Sequence, residues 1–215
     1  MGLIFSKKFD LYLRAGVLGV VVFLMGAGGL VAFLTYPPRM ETGYMPRQPV
    51  PYSHKLHAGN LGMDCRYCHS TVERSGYAAI PGTQVCMNCH AKVKDKSPNL
   101  KPVRDSFASG KPVEWLKVHW LPDYVYFNHS AHVSSGVSCV SCHGRVDQMV
   151  EVRQVEPLTM AWCLECHRDP AARIRPTDLV TKLDWKPERD PAEIGRELIA
   201  QKNLKPPTNC SGCHR

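Results

Sequence analysis

The chain has 215 residues, enough for one or two ordinary domains, but 17 prolines and 16 glycines break it into short runs that leave little material for a peptide core. Its formal net charge is +8 at pH 7, yet no nucleic-acid-binding motif accompanies the basic residues, so the charge does not indicate a nucleic-acid partner. The ten cysteines and ten histidines restrict its chemistry most.

The first 36 residues predict a membrane anchor. Residues 1 to 14 form a short basic cytoplasmic segment, and the 22 residues from 15 to 36 carry no charge. At about 1.5 Å per residue this run spans roughly 33 Å, which suffices for a bilayer core. A cleavable signal peptide is the alternative, but its apolar region would be shorter. The basic residues before the run place the N-terminus in the cytoplasm and the remainder outside.

Glycine is frequent in this apolar run, which favours close approach of another transmembrane helix. Residues 37 to 51 then hold five prolines and predict a stiff connector. The remaining residues, 52 to 215, are predicted to form one domain on the outer side of the membrane.

This domain is built on five Cys-x-x-Cys-His pentads. Two thiols on one turn can add to the two vinyl groups of one porphyrin, and the following histidine reaches the iron, so the pentad is the attachment signature of c-type haem. Numbered in chain order, the pentads are Cys65, Cys68 and His69; Cys86, Cys89 and His90; Cys139, Cys142 and His143; Cys163, Cys166 and His167; and Cys210, Cys213 and His214.

The five pentads use all ten cysteines, which excludes two other interpretations. Structural zinc sites would need Cys-x-x-Cys units in pairs, and the trailing histidine would have no role. Adjacent Cys-x-x-Cys pairs are also redox motifs rather than disulfide staples. The sequence therefore predicts five covalently bound haem c groups. Their negative charge, about −2 for each ferrous and about −1 for each ferric group, brings the total charge to about −2 or +3.

Five histidines lie outside the pentads and are called here the spare histidines. They are His54, His57, His119, His129 and His132. Five irons that each need one more ligand match five spare imidazoles, so bis-histidine, low-spin haem is the simplest prediction. A methionine ligand to one haem stays open, and the candidates near the pentads are Met63, Met87, Met149 and Met160.

Two segments repeat the same pattern of ligands. Residues 52–90 and 124–167 each contain an aromatic residue, a His-x-x-His pair and two pentads, which predicts a duplicated dihaem module. Histidines three residues apart on a helical turn are offset along its axis, so we expect one to bind the haem of its own pentad and the other a different haem. The spacing does not say which.

The segments around the modules carry three further predictions. The Lys- and Pro-rich segment 91–112 is predicted to be a surface loop. His119 lies in an aromatic segment, 114–127, and by elimination it could be the sixth ligand of the fifth haem. In the C-terminal part, 190–215, Asp190 and Pro191 predict the start of a helix with a buried stripe of Ile194, Leu198 and Ile199, ended by Pro206 and followed by the fifth pentad.

The predicted fold class is therefore a multihaem cytochrome c: mostly short α-helices and coil packed around five covalently bound haems, behind one N-terminal transmembrane helix. Every iron has a candidate sixth ligand, whereas a catalytic haem needs an open position, so no catalytic residue is assigned and electron transfer is predicted. The alternative is a membrane-anchored quinol dehydrogenase of the NapC/NirT type that oxidises quinol directly, near His54 or Met63.

The chain resembles the pentahaem cytochrome subunit of alternative complex III, a bacterial quinol:electron-acceptor oxidoreductase. The resemblance covers residues 15 to 214 and rests on PYSHKLHAGNLGMDCRYCH, VCMNCH, VHWLPDYVYFNHSAHVSSGVSCVSCHGRVDQM and PLTMAWCLECHRDP behind a single N-terminal helix. The Phe-x-His-x-x-His part alone is shared with class III multihaem cytochromes.

The resemblance implies a place in the bacterial inner membrane, with the haem domain on the periplasmic side. It also implies partners: an iron–sulfur subunit, quinol-oxidising multi-helix membrane subunits and a monohaem cytochrome c. A soluble cytochrome c, a copper protein or a terminal oxidase would accept the electrons of such a respiratory or photosynthetic complex.

Overall fold

A computed structural model describes residues 6–36 and 41–214. Part of the predicted N-terminal segment (1–5), the start of the connector (37–40) and the last residue of the haem domain (215) lie outside the described residues. The chain divides into two compact units, Met1–Met40 and Glu41–Arg215, which are described separately below.

The described part of the first unit is one long helix, α1, Lys7–Leu34. Ser6 caps it by accepting a hydrogen bond from the backbone N–H of Phe9, so the helix begins in the basic segment, ahead of the predicted apolar run. Its 28 residues extend about 42 Å, its mean hydropathy reaches 2.5, and none of its residues is buried. It is long and apolar enough to cross a membrane.

The second unit consists of short helices separated by coil. The α-helices are α2 Cys65–Cys68, α3 Thr83–His90, α4 Lys101–Ser109, α5 His129–Ser135, α6 Val140–His143, α7 Met160–Arg168, α8 Pro191–Lys202 and α9 Cys210–Cys213. A π-helical turn spans Lys55–Asn60, and 3₁₀ turns span Pro98–Leu100, Val146–Gln148, Ala171–Arg173 and Thr177–Leu179. Residues 41–214 contain no β-strand, only two isolated bridges, Val125 to His214 and Val137 to Ile174.

The prediction of a surface loop over 91–112 is wrong, because α4 forms inside it. Pro102 stands in the first turn of α4, where its missing N–H removes no hydrogen bond. Val103 and Ser106, three residues apart, are the buried positions of this helix, and Gly110 ends it with a left-handed φ of 72°.

The helix predicted from Asp190 forms as α8. Asp190 accepts a hydrogen bond from the N–H of Ala192, and Asn203 ends the helix in a left-handed conformation before the two prolines. The predicted stripe of Ile194, Leu198 and Ile199 is only half-buried. The buried position is Gly195, where a Cβ would overlap the carbonyl oxygen of Ala171.

The peptide core of the second unit is small. Its buried apolar residues are Val50, Val72, Val103, Val133, Met149, Ala171, Ile174, Val180 and Leu183. Val72, Val133 and Val180 pack together and join segments from both predicted modules. Large aromatic side chains stay exposed, among them Tyr77 (83 %) and Tyr124 (63 %). The peptide alone therefore leaves much apolar surface uncovered.

Candidate haem-binding sites

Each pentad forms a helical turn or the end of a short helix. Cys65–Cys68 and Cys210–Cys213 are complete helices, α2 and α9. Asp64 caps α2 and Asn209 caps α9 through side-chain oxygens, which fixes where these turns begin. All ten cysteines are free thiols, and none is fully buried. Each turn thus presents two accessible thiols on one face.

Seven of the ten histidines point Nδ1 at a backbone carbonyl oxygen. The contacts are His57 to Ser53 (2.9 Å), His69 to Ala79 (2.8 Å), His90 to Val93 (2.8 Å), His129 to Gly76 (2.8 Å), His132 to Asn128 (2.8 Å), His167 to Pro207 (2.7 Å) and His214 to Tyr124 (3.2 Å). A carbonyl can only accept, so Nδ1 carries the proton and Nε2 keeps its lone pair. A hydrogen bond from Nδ1 to a carbonyl oxygen is typical of histidines that bind a metal through Nε2.

Three spare histidines lie beside pentad histidines at nearly the same separation. The ring centroids lie 6.2 Å apart for His57 and His90, 6.5 Å for His129 and His143, and 6.0 Å for His132 and His167. An imidazole nitrogen bound to a metal lies about 2.0 to 2.1 Å from it. With about 1.1 Å from nitrogen to ring centre, two axial imidazoles on one iron have centroids about 6.2 Å apart. The three separations match this geometry.

The same aromatic contacts occur at both His-x-x-His pairs. Tyr52 lies edge-on to His54 at 4.8 Å and stacks on His57 at 4.5 Å. Phe127 lies edge-on to His129 at 4.7 Å and packs on His132 at 4.5 Å. One aromatic side chain therefore fixes two imidazoles in each case.

His54 occupies in the first segment the place that His129 occupies in the second. Burial, followed by the influence of His69 and then His57, lowers its pKa to about 4. Within residues 41–214, its buried Nδ1 has no hydrogen-bond partner. At pH 7, His54 is thus a neutral imidazole, and His69 of the first pentad is the histidine that influences its pKa most.

His119 lies against the third pentad. Its Nε2 is 3.2 Å from Nδ1 of His143, and the two rings meet edge to face at 4.3 Å. Burial lowers the pKa of His119 to about 4 and that of His143 to about 3, so both are neutral at pH 7. The ring beside His214 is instead that of Tyr124, at 5.7 Å. The structure therefore brings His119 to the third pentad and not to the fifth.

Cysteines of neighbouring pentads lie close enough to shift one another's pKa. The thiols of Cys65 and Cys139 lie close together, and their interaction lowers the pKa of Cys65 to about 7 and raises that of Cys139. Burial, and then the charges of Cys166 and Cys163, raise the pKa of Cys142 to about 12. Burial raises the pKa of Cys68 with Cys86 as the next cause, and that of Cys163 with Cys213 as the next cause.

The candidate methionine ligands occupy different environments. Met149 is buried in the peptide, Met63 and Met87 are half-buried, and Met160 is 66 % exposed. Met160 begins α7, three residues before Cys163.

These residues fit c-type haem. Paired thiols sit on single turns, three pairs of imidazoles have a suitable separation, and aromatic side chains pack against both His-x-x-His pairs. In the part of the chain that the structure describes, no three His, Cys, Asp or Glu side chains converge on a bare metal ion. The thiols would hold the porphyrin and the imidazoles its iron, and the group would supply one-electron chemistry when bound.

Comparison with known proteins agrees with this geometry. A family described as cytochrome c7 and related cytochrome c matches residues 125–215, and the class III cytochrome c family matches residues 32–103. These matches, on two separate parts of the chain, are to families of multihaem cytochromes c. Haem binding and electron transfer follow from them, whereas the number of haems in this cytochrome does not.

One relative is described as the multihaem cytochrome c subunit of a menaquinone reductase, from Nitratidesulfovibrio vulgaris (strain Hildenborough). It is 40 % identical over 97 residues, which are 45 % of this cytochrome and 45 % of the relative. The aligned stretch thus spans less than half of the relative's length.

Some positioning groups have no signature in the sequence. The carbonyl oxygens of Gly76, Ala79, Val93 and Pro207 orient four of the imidazoles. Every residue has a carbonyl, so no residue type marks these positions. The His-x-x-His spacing and the pentads were the signals that could be found.

Proposed function

We propose that this cytochrome carries five haem c groups and passes single electrons along them as a subunit of a quinone-linked membrane complex. The observation that carries the proposal is the separation of three spare imidazoles from pentad imidazoles, which is that expected for two ligands of one iron. An iron with two firmly held protein ligands exchanges electrons without binding substrate.

The proposed axial pairs follow the ring contacts. His57 pairs with His90, His129 with His143 and His132 with His167, while His54 is assigned to His69 because it occupies the place equivalent to His129. In each His-x-x-His pair, the first histidine then serves the first pentad of its module and the second histidine serves the next pentad. This pairing supports a duplicated module over 52–90 and 124–167.

Numbered by their pentads, the haems are proposed to follow one another in space in the order second, first, third, fourth and fifth, and electrons would pass along this row, called here the wire. The first two pentads are linked by the amide of Asn88, which donates to the hydroxyl of Tyr67 at 3.1 Å. The closeness of Cys65 and Cys139 places the first pentad beside the third. Within the second module, the third and fourth follow, and the carbonyl of Pro207 then connects His167 to the segment that leads into the fifth.

In this order, the second and fifth haems are the two ends of the wire. Electrons would enter the subunit at one end and leave at the other. The haem region would lie on the periplasmic side of the bacterial inner membrane, anchored by α1, whose length and apolar surface suit a membrane span.

The resemblance to alternative complex III supports quinol oxidation as the reaction of the whole complex. Its partners would be the iron–sulfur, multi-helix and monohaem cytochrome subunits, with a soluble cytochrome c, a copper protein or a terminal oxidase as acceptor. The similarity to a menaquinone reductase subunit supports a quinone-linked complex, whether that complex oxidises quinol or reduces quinone. This chain would contribute haem placement and no substrate chemistry of its own.

The test begins with the haem count. Covalent haem should survive denaturation at five per chain, measured as pyridine haemochrome against protein. Quinol should then reduce these haems in the intact complex but not in the isolated chain in detergent. Fewer than five haems would overturn the count. Direct reduction of the isolated chain by quinol would favour the NapC/NirT-type alternative.

A further inference from the structure

The contact between His119 and His143 limits what His119 can bind. His143 belongs to the third pentad, and its Nδ1 lies 3.2 Å from Nε2 of His119. The rings are nearly perpendicular, at 84°, and their centroids are 4.3 Å apart, which is too close for two ligands on opposite sides of one iron. The two imidazoles are therefore hydrogen-bonded neighbours and do not face each other across a porphyrin.

The direction of this hydrogen bond follows from the chemistry of imidazole. A neutral ring has one N–H donor and one acceptor nitrogen. When His143 binds iron through Nε2, its proton must be on Nδ1, so His143 donates and His119 accepts. The lone pair of His119 Nε2 is then used, and its Nδ1 carries the proton. His119 has no lone pair left for an iron.

The other four spare histidines are also assigned elsewhere. Three lie beside the histidines of the second, third and fourth pentads, and His54 is assigned to the first because it holds the position equivalent to that of His129. His214, in the fifth pentad, lies beside the ring of Tyr124 and donates from Nδ1 to the Tyr124 carbonyl oxygen. Counting histidines gives five ligands for five irons, but the contacts give four.

We infer that His119 is the hydrogen-bond acceptor of the third pentad's His143 rather than an iron ligand, and that the fifth haem takes no histidine of this chain as its sixth ligand. The inference rests on the proposed five-haem function and refines it. His119 is a positioning residue that fixes the orientation of the His143 ring. By accepting a hydrogen bond from Nδ1–H of His143, it also makes the imidazole a stronger electron donor to the iron through Nε2. A stronger donor favours ferric iron and lowers the potential of the third haem.

The oxidised full-length holoprotein provides the first test, by low-temperature EPR with near-infrared magnetic circular dichroism. We expect four bis-histidine haems and one haem of another kind. A thioether charge-transfer band or a high-spin haem that binds carbon monoxide would each support the inference. Five bis-histidine haems would overturn it without any variant.

The second test compares His119→Ala with His119→Gln, whose side-chain oxygen can still accept a hydrogen bond. In the Ala variant we expect four bis-histidine haems as before, and a raised midpoint potential for one haem in a spectroelectrochemical titration. The Gln variant should restore that potential towards the wild-type value. Conversion of one bis-histidine haem to high spin in the Ala variant, or potentials identical to wild type, would contradict the inference.

His129→Ala is the matched control, since it removes a proposed iron ligand from the same haem and should convert one bis-histidine haem to high spin. The pyridine haemochrome count separates this inference from the proposed function. A wild-type count below five overturns the function, whereas a full count with a lost bis-histidine signal in the Ala variant overturns only the role given to His119.

Discussion

The ion pair of Arg145 and Asp147 lies where the segments 52–90 and 124–167 contact each other. Arg145 donates from Nε (2.8 Å) and Nη2 (2.7 Å) to the Asp147 carboxylate, and these bonds lower the pKa of that carboxyl. The carbonyl oxygen of Asp147 also packs directly against Gly59, in the π-helical turn. The ion pair therefore supports the contact between Asp147 and the π-helical turn Lys55–Asn60.

We expect the contribution of Asp147 to stability to depend on pH. Its folded pKa is depressed, so its stabilisation is complete above the ordinary pKa of about 3.9 and is lost as pH falls towards the folded value. Asp147→Asn should lower the free energy of unfolding by about 0.5 to 1 kcal/mol at pH 7, and by progressively less below about pH 4. Denaturant unfolding from pH 7 to pH 2 measures this.

Asp105→Asn is the control, because the Lys101 and Asp105 pair is well exposed and should contribute almost nothing. A difference between wild type and Asp147→Asn that stays constant down to pH 2 would contradict the assignment.

Gly195 makes a second residue-scale prediction. It is the buried position of α8, and an added Cβ would meet the Ala171 carbonyl oxygen. Because the backbone must move, Gly195→Ala should lower the free energy of unfolding by about 1 to 3 kcal/mol, despite the higher helix propensity of alanine. Thermal unfolding of the holoprotein measures it, with Gln201→Ala on the exposed side of α8 as control. Equal melting temperatures for the two variants would show that α8 does not pack this closely.

At the scale of elements, the short helices set the rotation between paired imidazoles. The ring planes of His129 and His143 are nearly parallel, at 7°, those of His132 and His167 are 42° apart, and those of His57 and His90 are 63° apart. Parallel axial planes split the iron orbitals strongly and give a rhombic low-spin EPR spectrum, whereas crossed planes raise the largest g value.

The proposed pairs can therefore be distinguished by spectrum. His129→Ala should remove the most rhombic low-spin signal, and His57→Ala the low-spin signal with a larger g maximum. Low-temperature EPR of the two oxidised variants measures these losses, and each variant serves as the control for the other because it should keep the signal that the other loses. If His129→Ala instead removed the signal with the largest g value, the assignment of that pair would be wrong.

At the scale of the whole molecule, the small peptide core makes folding depend on haem. Few apolar side chains are buried in residues 41–214, while many aromatic ones are exposed. A core of this size cannot offset the conformational entropy of so long a segment. Porphyrins supply the apolar area that the peptide lacks.

We therefore expect that the chain produced without haem attachment is largely unfolded outside α1. Limited proteolysis and circular dichroism of the haem-free chain, beside the holoprotein as control, test this. Fragments should come from throughout 41–214 in the haem-free chain only. A cooperative thermal transition without haem would show that the peptide core is sufficient.

Local signals in the sequence predicted the local parts of this structure. The pentads, both His-x-x-His pairs and the start of α8 are set by residues within one or two turns. The position of His119 was not predictable in the same way, because its contact with His143 spans 24 residues and elimination assumed one spare histidine for each iron. The α4 helix was missed because Pro102 indicates a break unless its place in the first turn is known.

The carbonyl of Pro207 has a consequence for biogenesis. It orients His167 of the fourth pentad from 40 residues further along the chain. During export, the fourth haem could be attached before this carbonyl has emerged, but its histidine would not yet be fixed in rotation. A chain that stops before Pro207 would lack one pentad and yet have two defective haem sites. Complete synthesis and folding of the C-terminal segment is therefore needed for the fourth haem site as well as for the fifth.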